Sequence, residues 1–233
     1  MVTNNYIDKN VIELNKMLLS VSWKETDFSC CALQEGNKTA RLQFTEEQSR
    51  LIENLIKCIP EWKRLVDCRQ HSIHDFTLDI HTLSVLKNVQ AHKDYEALEE
   101  PAKLVLIYSA LLHDIEKNEK EIDPEHPVKG AKKASSILYR LGFGEEFINC
   151  VYLLIRYHQI MGFILSYKVN LTEDELYNMF KNDTIVDLQA ILSAADIKSV
   201  KSDGSFYGDG LDDRFEELKL KIKSLIAERN NFF

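Results

Sequence analysis

The hydrophobic positions of this chain fall mostly at the three- and four-residue intervals of a helix face. They predict an opening helix over 8–21. Residues 28–44 break the pattern. There Phe28 to Leu33 and Ala40 to Phe44 flank Gly36-Asn37, which predicts a small β-hairpin. Thr45 with Gln48 is a capping-box pair, so a helix starts there and runs to about Ile59, where Pro60 ends it. A short helix to Val66 follows. From residue 74 onward the helical signals strengthen, over 78–91, 101–115, 127–141, 145–159, 172–181, 184–199 and 211–229. Thr172 with Glu175 is a second capping box. Leu104 to Leu112 is apolar on nearly every face, which predicts a buried helix, and it ends in His113-Asp114. The pattern holds no repeat and no clear linker. It predicts an all-α fold, with a small N-terminal elaboration over 1–70 and a helical domain over 71–233.

Composition agrees with that reading. Eight Gly and four Pro among 233 residues leave few breakers for long helices. A net charge of -8 and a pI near 5.4 argue against a long nucleic acid as partner, since phosphate backbones need a basic surface. A small phosphorylated ligand needs only a local metal or a few lysines, so it stays open. Five cysteines without a C-x-x-C pair point to free thiols, and Cys30-Cys31 reads as two small buried residues. The start of the chain has no signal-peptide pattern and no run reaches about 18 apolar residues. The expectation is a cytoplasmic protein without a membrane span.

The chemistry gathers on the apolar faces. His81 continues a stripe of Leu78, Val85 and Val89, and Asp114 follows Leu104, Ile107 and Leu111. His158 follows Phe147, Val151 and Leu154, while Asp196 follows Ile185, Leu188 and Leu192. His126 lies before Pro127 at a helix start. A lone inward histidine is more often a hydrogen-bonded core residue than a ligand, and a lone aspartate more often a cap. Inward carboxylates are nevertheless rare unless paired. Several on separate helices are explained together by one shared divalent metal centre, with the imidazoles neutral and the carboxylates ionised. Patterning alone leaves both readings open.

The order His81, His113-Asp114, Asp196 resembles the HD superfamily of metal-dependent phosphohydrolases. Phe76 to Leu83 is similar to the superfamily's first-histidine helix. Leu111-Leu112-His113-Asp114-Ile115-Glu116-Lys117 is similar to its signature L-[LF]-H-D-[IL]-x-K. Glu125 to Ala131, Arg156-Tyr157-His158 and Ala194-Ala195-Asp196-Ile197 resemble the segments of the remaining ligands. The likeness spans roughly 70–200 and six positions agree in order and context. Within the superfamily the words resemble the HD regions of the bifunctional uridylyltransferase/uridylyl-removing enzyme and of tRNA nucleotidyltransferase. Residues 1–70 hold no G-S followed by D-x-D, so nucleotidyl transfer is not expected. Glu116 departs from the pattern, which usually has Gly there, and adds negative charge.

The resemblance implies an HD-type helical bundle. His81, His113, Asp114 and Asp196 would hold one metal, with Asp114 bridging to a second held by His126 and His158. Mn, Fe, Co, Ni and Zn suit these donors better than Mg alone. Asp114 and Lys117 would be catalytic, with Lys117 and Arg156 contacting a substrate phosphate. The implied reaction is hydrolysis of a nucleotide or other small phosphoester by metal-activated water, and a homodimer stays open. Two other readings share the ligand set: a binding module with little turnover, and a di-iron oxygenase. Lys129, Lys132 and Lys133 read as a solvated helix face. His71, His74 and His92 fall outside the ligand pattern, as surface or packing residues.

Overall fold

The local signals act as the helix starts and stops. Thr45 accepts from the Gln48 backbone at 3.2 Å and Gln48 returns the bond at 3.1 Å. Thr172 and Glu175 close the second capping box in the same way. A computed structural model of the protein describes residues 7–32, 43–70, 73–117, 123–203 and 205–231. Its α-helices are α1 (Lys9–Ser20), α2 (Glu46–Cys58), α3 (Leu78–Ala91), α4 (Glu100–Leu112) and α5 (His126–Arg140). They continue with α6 (Glu145–Arg156), α7 (Ile160–Leu165), α8 (Glu173–Phe180), α9 (Asp183–Lys198) and α10 (Leu211–Asn230). Among the described residues there is no strand, and the fold is all-α.

Three sequence expectations need amendment. Of the hairpin expected over 28–44, Ser29–Cys31 is a 3₁₀ turn, and 33–42 lie outside the described residues. The helix expected over 145–159 ends at Arg156, turns at 157–159 and resumes as α7. Glu145–Leu165 is apolar and long enough by composition to cross a membrane. Its backbone is broken, however, and Val151, Leu154, Ile155 and Met161 are buried within the bundle. Helix α4 stops at Leu112, so His113 to Lys117 form a turn at its end.

Two hydrophobic clusters hold the elements. The larger combines α1 and α2 with α3 to α6; the smaller gathers α7 to α10. Helix α9 serves both, giving Leu188, Ile191, Leu192 and Ala195 to one and Val186, Ala190 and Ala194 to the other. It is therefore buried on nearly every face, as α4 is from Val105 to Leu112. Each fully buried aliphatic side chain contributes about 1.5–3 kcal/mol.

The N-terminal segment packs into the larger cluster and is fastened by buried polar groups. Gln90 of α3 accepts from the Trp23 backbone at 2.8 Å and donates to the Val21 carbonyl at 3.1 Å. Tyr108 of α4 donates to Asn15 at 2.8 Å. Trp62, in the 3₁₀ helix Pro60–Leu65, is buried and donates its indole N–H to the Leu111 carbonyl at 3.1 Å. That bond satisfies a carbonyl in the last turn of α4, where helical partners run out. Trp62→Ala is expected to lower unfolding free energy by about 3–5 kcal/mol, as large cavities do, measured by urea denaturation. A change within about 0.5 kcal/mol, the range of an ordinary surface substitution, would show that the segment does not brace α4.

Candidate metal centre

Five helices deliver one cluster of side chains. His81 comes from the first turns of α3 and Asp196 from the last turns of α9. His113 and Asp114 follow the end of α4, His126 opens α5, and His158 lies just after α6. Helices α4 and α5 approach closely at Gly130, where a Cβ would lie 3.0 Å from the His113 carbonyl oxygen. Ser193 of α9 donates to the His158 carbonyl at 2.6 Å, which locks α9 to the end of α6.

The imidazoles are oriented by their other nitrogens. Nδ1 of His113, His126 and His158 lies 2.8, 2.6 and 2.7 Å from the carbonyls of Ala110, Asp123 and Ile155, each three residues earlier. Nδ1 of His81 lies 3.0 Å from the Ser199 carbonyl. A carbonyl can only accept, so each Nδ1 carries a proton. In the neutral ring each Nε2 then presents a lone pair.

Those lone pairs converge. Nε2 of His81 and of His113 are 3.3 Å apart, and they lie 3.0 and 3.6 Å from Asp196 Oδ1. Asp114 faces both ways. Its Oδ2 is 3.4 Å from His113 Nε2 and 3.7 Å from His81 Nε2. Its Oδ1 is 3.4 Å from His126 Nε2 and 4.0 Å from His158 Nε2. The donor atoms of His81, His113 and Asp196 all lie within 4.8 Å of one another, as do those of Asp114, His126 and His158. Acceptor faces acceptor throughout, and Asp114 Oδ1 is buried with no hydrogen-bond partner. Two carboxylates stand against one ammonium, that of Lys117, 2.9 Å from Asp114 Oδ2. A divalent cation in each trio would resolve both the opposed lone pairs and the charge, and nitrogen with carboxylate donors is what first-row metals prefer.

Titration follows from this environment. Burial would raise the pKa of Asp114, but Lys117 and His113 hold it well below the usual carboxylate range. Burial likewise opposes ionisation of Asp196, and the neighbouring His81 and His113 override it, lowering the pKa. Burial disfavours a charged His113, yet Asp114 beside it raises the pKa. Burial pushes His158 down to about 4.

The six expected ligands are thus brought together, and Lys117 joins them. Arg156 does not. Its guanidinium donates to the Tyr152 hydroxyl at 2.8 Å, and it is not among the residues lining the cavity. The side chain is drawn aside by the tyrosines on its own helix turn, at 5.9 and 5.5 Å from the Tyr152 and Tyr157 rings. Glu116 also points elsewhere, 3.6 Å from Arg64. The cavity beside the cluster measures about 180 Å³, and its lining combines the polar Asp114, Asp196, His158 and Lys117 with the apolar Ile73, Phe163, Ile197, Val200 and Phe206. A larger hollow of about 680 Å³, beside α8 and α10, contains none of the six. His74, expected to be surface or packing, lines the cavity with its ring 5.2 Å from His81. It lies in a turn before α3, where periodicity gives no signal. Burial pushes its pKa down to about 3. His92 is half-buried, 3.9 Å from Asp94, and His71 lies outside the described residues.

Residues 78–199, just over half of the chain, match the HD domain family. Among curated proteins the chain is 28% identical to the bifunctional uridylyltransferase/uridylyl-removing enzyme of Cereibacter sphaeroides, over 61% of this chain and 17% of the relative. The enzyme of the same name from Ruegeria pomeroyi is 27% identical, over 72% of this chain and 19% of its own length. That from Bordetella avium is 28% identical, over 64% and 19%. The chain spans less than a fifth of the length of these relatives.

The depressed histidines set a pH dependence. An unfolded imidazole titrates near pH 6.5, so below that value the unfolded chain takes up protons that buried His74 and His158 refuse. Their share of stability is full above about pH 6.5 and is lost on acidification toward the folded values. His113, raised, acts in the opposite sense, its share present below about pH 6.5 and lost as pH rises through its folded value. Metal-free protein is therefore expected to resist urea less at about pH 5 than at about pH 7. Equal or greater resistance at the lower pH would contradict this reading of the histidines.

Proposed function

The chain belongs to the HD domain family, and on that premise we propose that it hydrolyses small phosphoesters, nucleotidyl esters first, with one or two bound divalent metals. The observation that carries the reading is the pair of converging donor trios, three of whose members (Asp114, His158 and Asp196) line one cavity together with Lys117. Relatives named as uridylyl-removing enzymes direct the choice toward nucleotidyl esters.

In this reading His81, His113 and Asp196 would hold one metal, and His126 and His158 would hold the second. Asp114 would serve both, since its Oδ2 faces His81 and His113 and its Oδ1 faces His126 and His158. When bound, the metals supply an activated water near neutral pH and a Lewis acid for a phosphoryl oxygen. The chain does the rest. The Nδ1–carbonyl bonds keep the lone pairs aimed without reorganisation, as second-layer partners of metal ligands do. Lys117 gives one N–H to Asp114 and keeps donors for a phosphoryl oxygen. The apolar wall formed by Phe163, Ile197 and Phe206 takes the organic part of the ester and excludes water.

Changing His113 and Asp114 together to Ala is expected to remove bound metal, measured by elemental analysis of protein purified without chelator. Hydrolysis of bis(p-nitrophenyl) phosphate should fall by at least about 100-fold, the scale seen when even a supporting partner of a metal ligand is lost. Turnover that survives with metal absent would refute the mechanism.

A further inference from the structure

We propose that His74 is a positioning residue for Lys117, fixing the direction in which its ammonium meets a substrate phosphoryl group. The inference rests on the reading of Lys117 given above. Lys117 Nζ lies 2.9 Å from Asp114 Oδ2 and 3.4 Å from His74 Nε2. An ammonium has three N–H donors and no acceptor. His74 Nε2 must therefore accept, which makes the ring neutral with its proton on Nδ1. Asp114 and His74 together take two of the three N–H bonds, and both line the cavity with Lys117. Two anchors fix a flexible four-carbon side chain far better than one, and the third N–H is left for a ligand.

His74 is itself held in place from outside the metal ligands. The Asp75 backbone N–H donates to the Val200 carbonyl at 3.1 Å. The Asp75 carboxylate accepts from Lys201 at 2.9 Å and from the Ser202 backbone at 2.9 Å. Gln70 donates to the Phe76 carbonyl at 3.0 Å, and Phe76 is buried. The turn carrying His74 is thus tied to the segment after α9. Nδ1 of His74 is buried with no hydrogen-bond partner. A buried donor left unsatisfied is unfavourable, so packing alone does not account for a histidine here. Acceptance from Lys117 does.

The test is a double-mutant cycle on full-length, metal-loaded protein, read by the Kd for inorganic phosphate and by kcat/KM on bis(p-nitrophenyl) phosphate. His74→Ala is expected to weaken phosphate binding by about tenfold, the scale of one hydrogen bond to a charged group, with metal content unchanged. His74→Gln, whose amide oxygen reaches the place of Nε2, should restore most of that loss. In a Lys117→Ala background, His74→Ala should have no further effect. An equal loss in both backgrounds, no rescue by Gln, or loss of metal from His74→Ala would overturn the proposal. If Lys117→Ala itself leaves phosphate binding unchanged, the role of Lys117 fails and the role of His74 falls with it. If Lys117→Ala weakens binding but the cycle is additive, only the role of His74 fails.

Discussion

Four hydrogen bonds from imidazole Nδ1 atoms to backbone carbonyls determine what the centre of this protein can be. Three of them are local, each reaching back three residues, from His113 to Ala110, from His126 to Asp123 and from His158 to Ile155. Ala110 and Ile155 lie in the last turns of α4 and α6, where carbonyls run out of helical donors. Each ring therefore completes the end of a helix while its far nitrogen is turned to the common centre. The fourth bond, from His81 to Ser199, joins the start of α3 to the end of α9 across 118 residues of sequence. It sets the distance between the helix that carries the first histidine and the one that carries the last aspartate.

The same bonds create a demand. With every Nδ1 protonated, four lone pairs and two carboxylates face one another in a space where the histidines and Asp114 are almost wholly buried. Hydrophobic packing holds them there regardless, because α4 and α9 are fixed by apolar side chains on all sides. Burial of this kind is costly for polar groups unless they are compensated. One lysine supplies part of the compensation. Metal ions held by the two trios would supply the remainder, and binding them would link metal affinity to the stability of the fold.

Most helices were legible in the sequence from their apolar faces, and two are written twice, in an apolar face and in a capping box. Thr45-Gln48 and Thr172-Glu175 form the boxes that their spacing predicts. The ligands were legible because they continue those apolar faces, and the order of His81, His113-Asp114 and Asp196 resembles one superfamily. What escaped lies where periodicity stops. The break at 157–159 follows no Gly or Pro, and it sets His158 at a helix end rather than within a helix. His74 sits in a turn whose place is fixed by Asp75 and the residues after α9, contacts about 126 positions apart that no local pattern encodes. Arg156 carried the right charge in the right motif, but its tyrosine neighbours decide where it points. For the hairpin, local turn chemistry was the only guide, and Ser29–Cys31 folds as a 3₁₀ turn instead.

Four Nε2 atoms and two carboxylates are arranged to hold metal, with Asp114 at their middle. Anomalous diffraction from crystals of manganese-loaded protein tests it directly. The expected result is density in both trios, one peak among His81, His113 and Asp196 and the other beside His126 and His158, with Asp114 between them and every imidazole bound through Nε2. Density elsewhere, or imidazoles bound through Nδ1, would contradict the account.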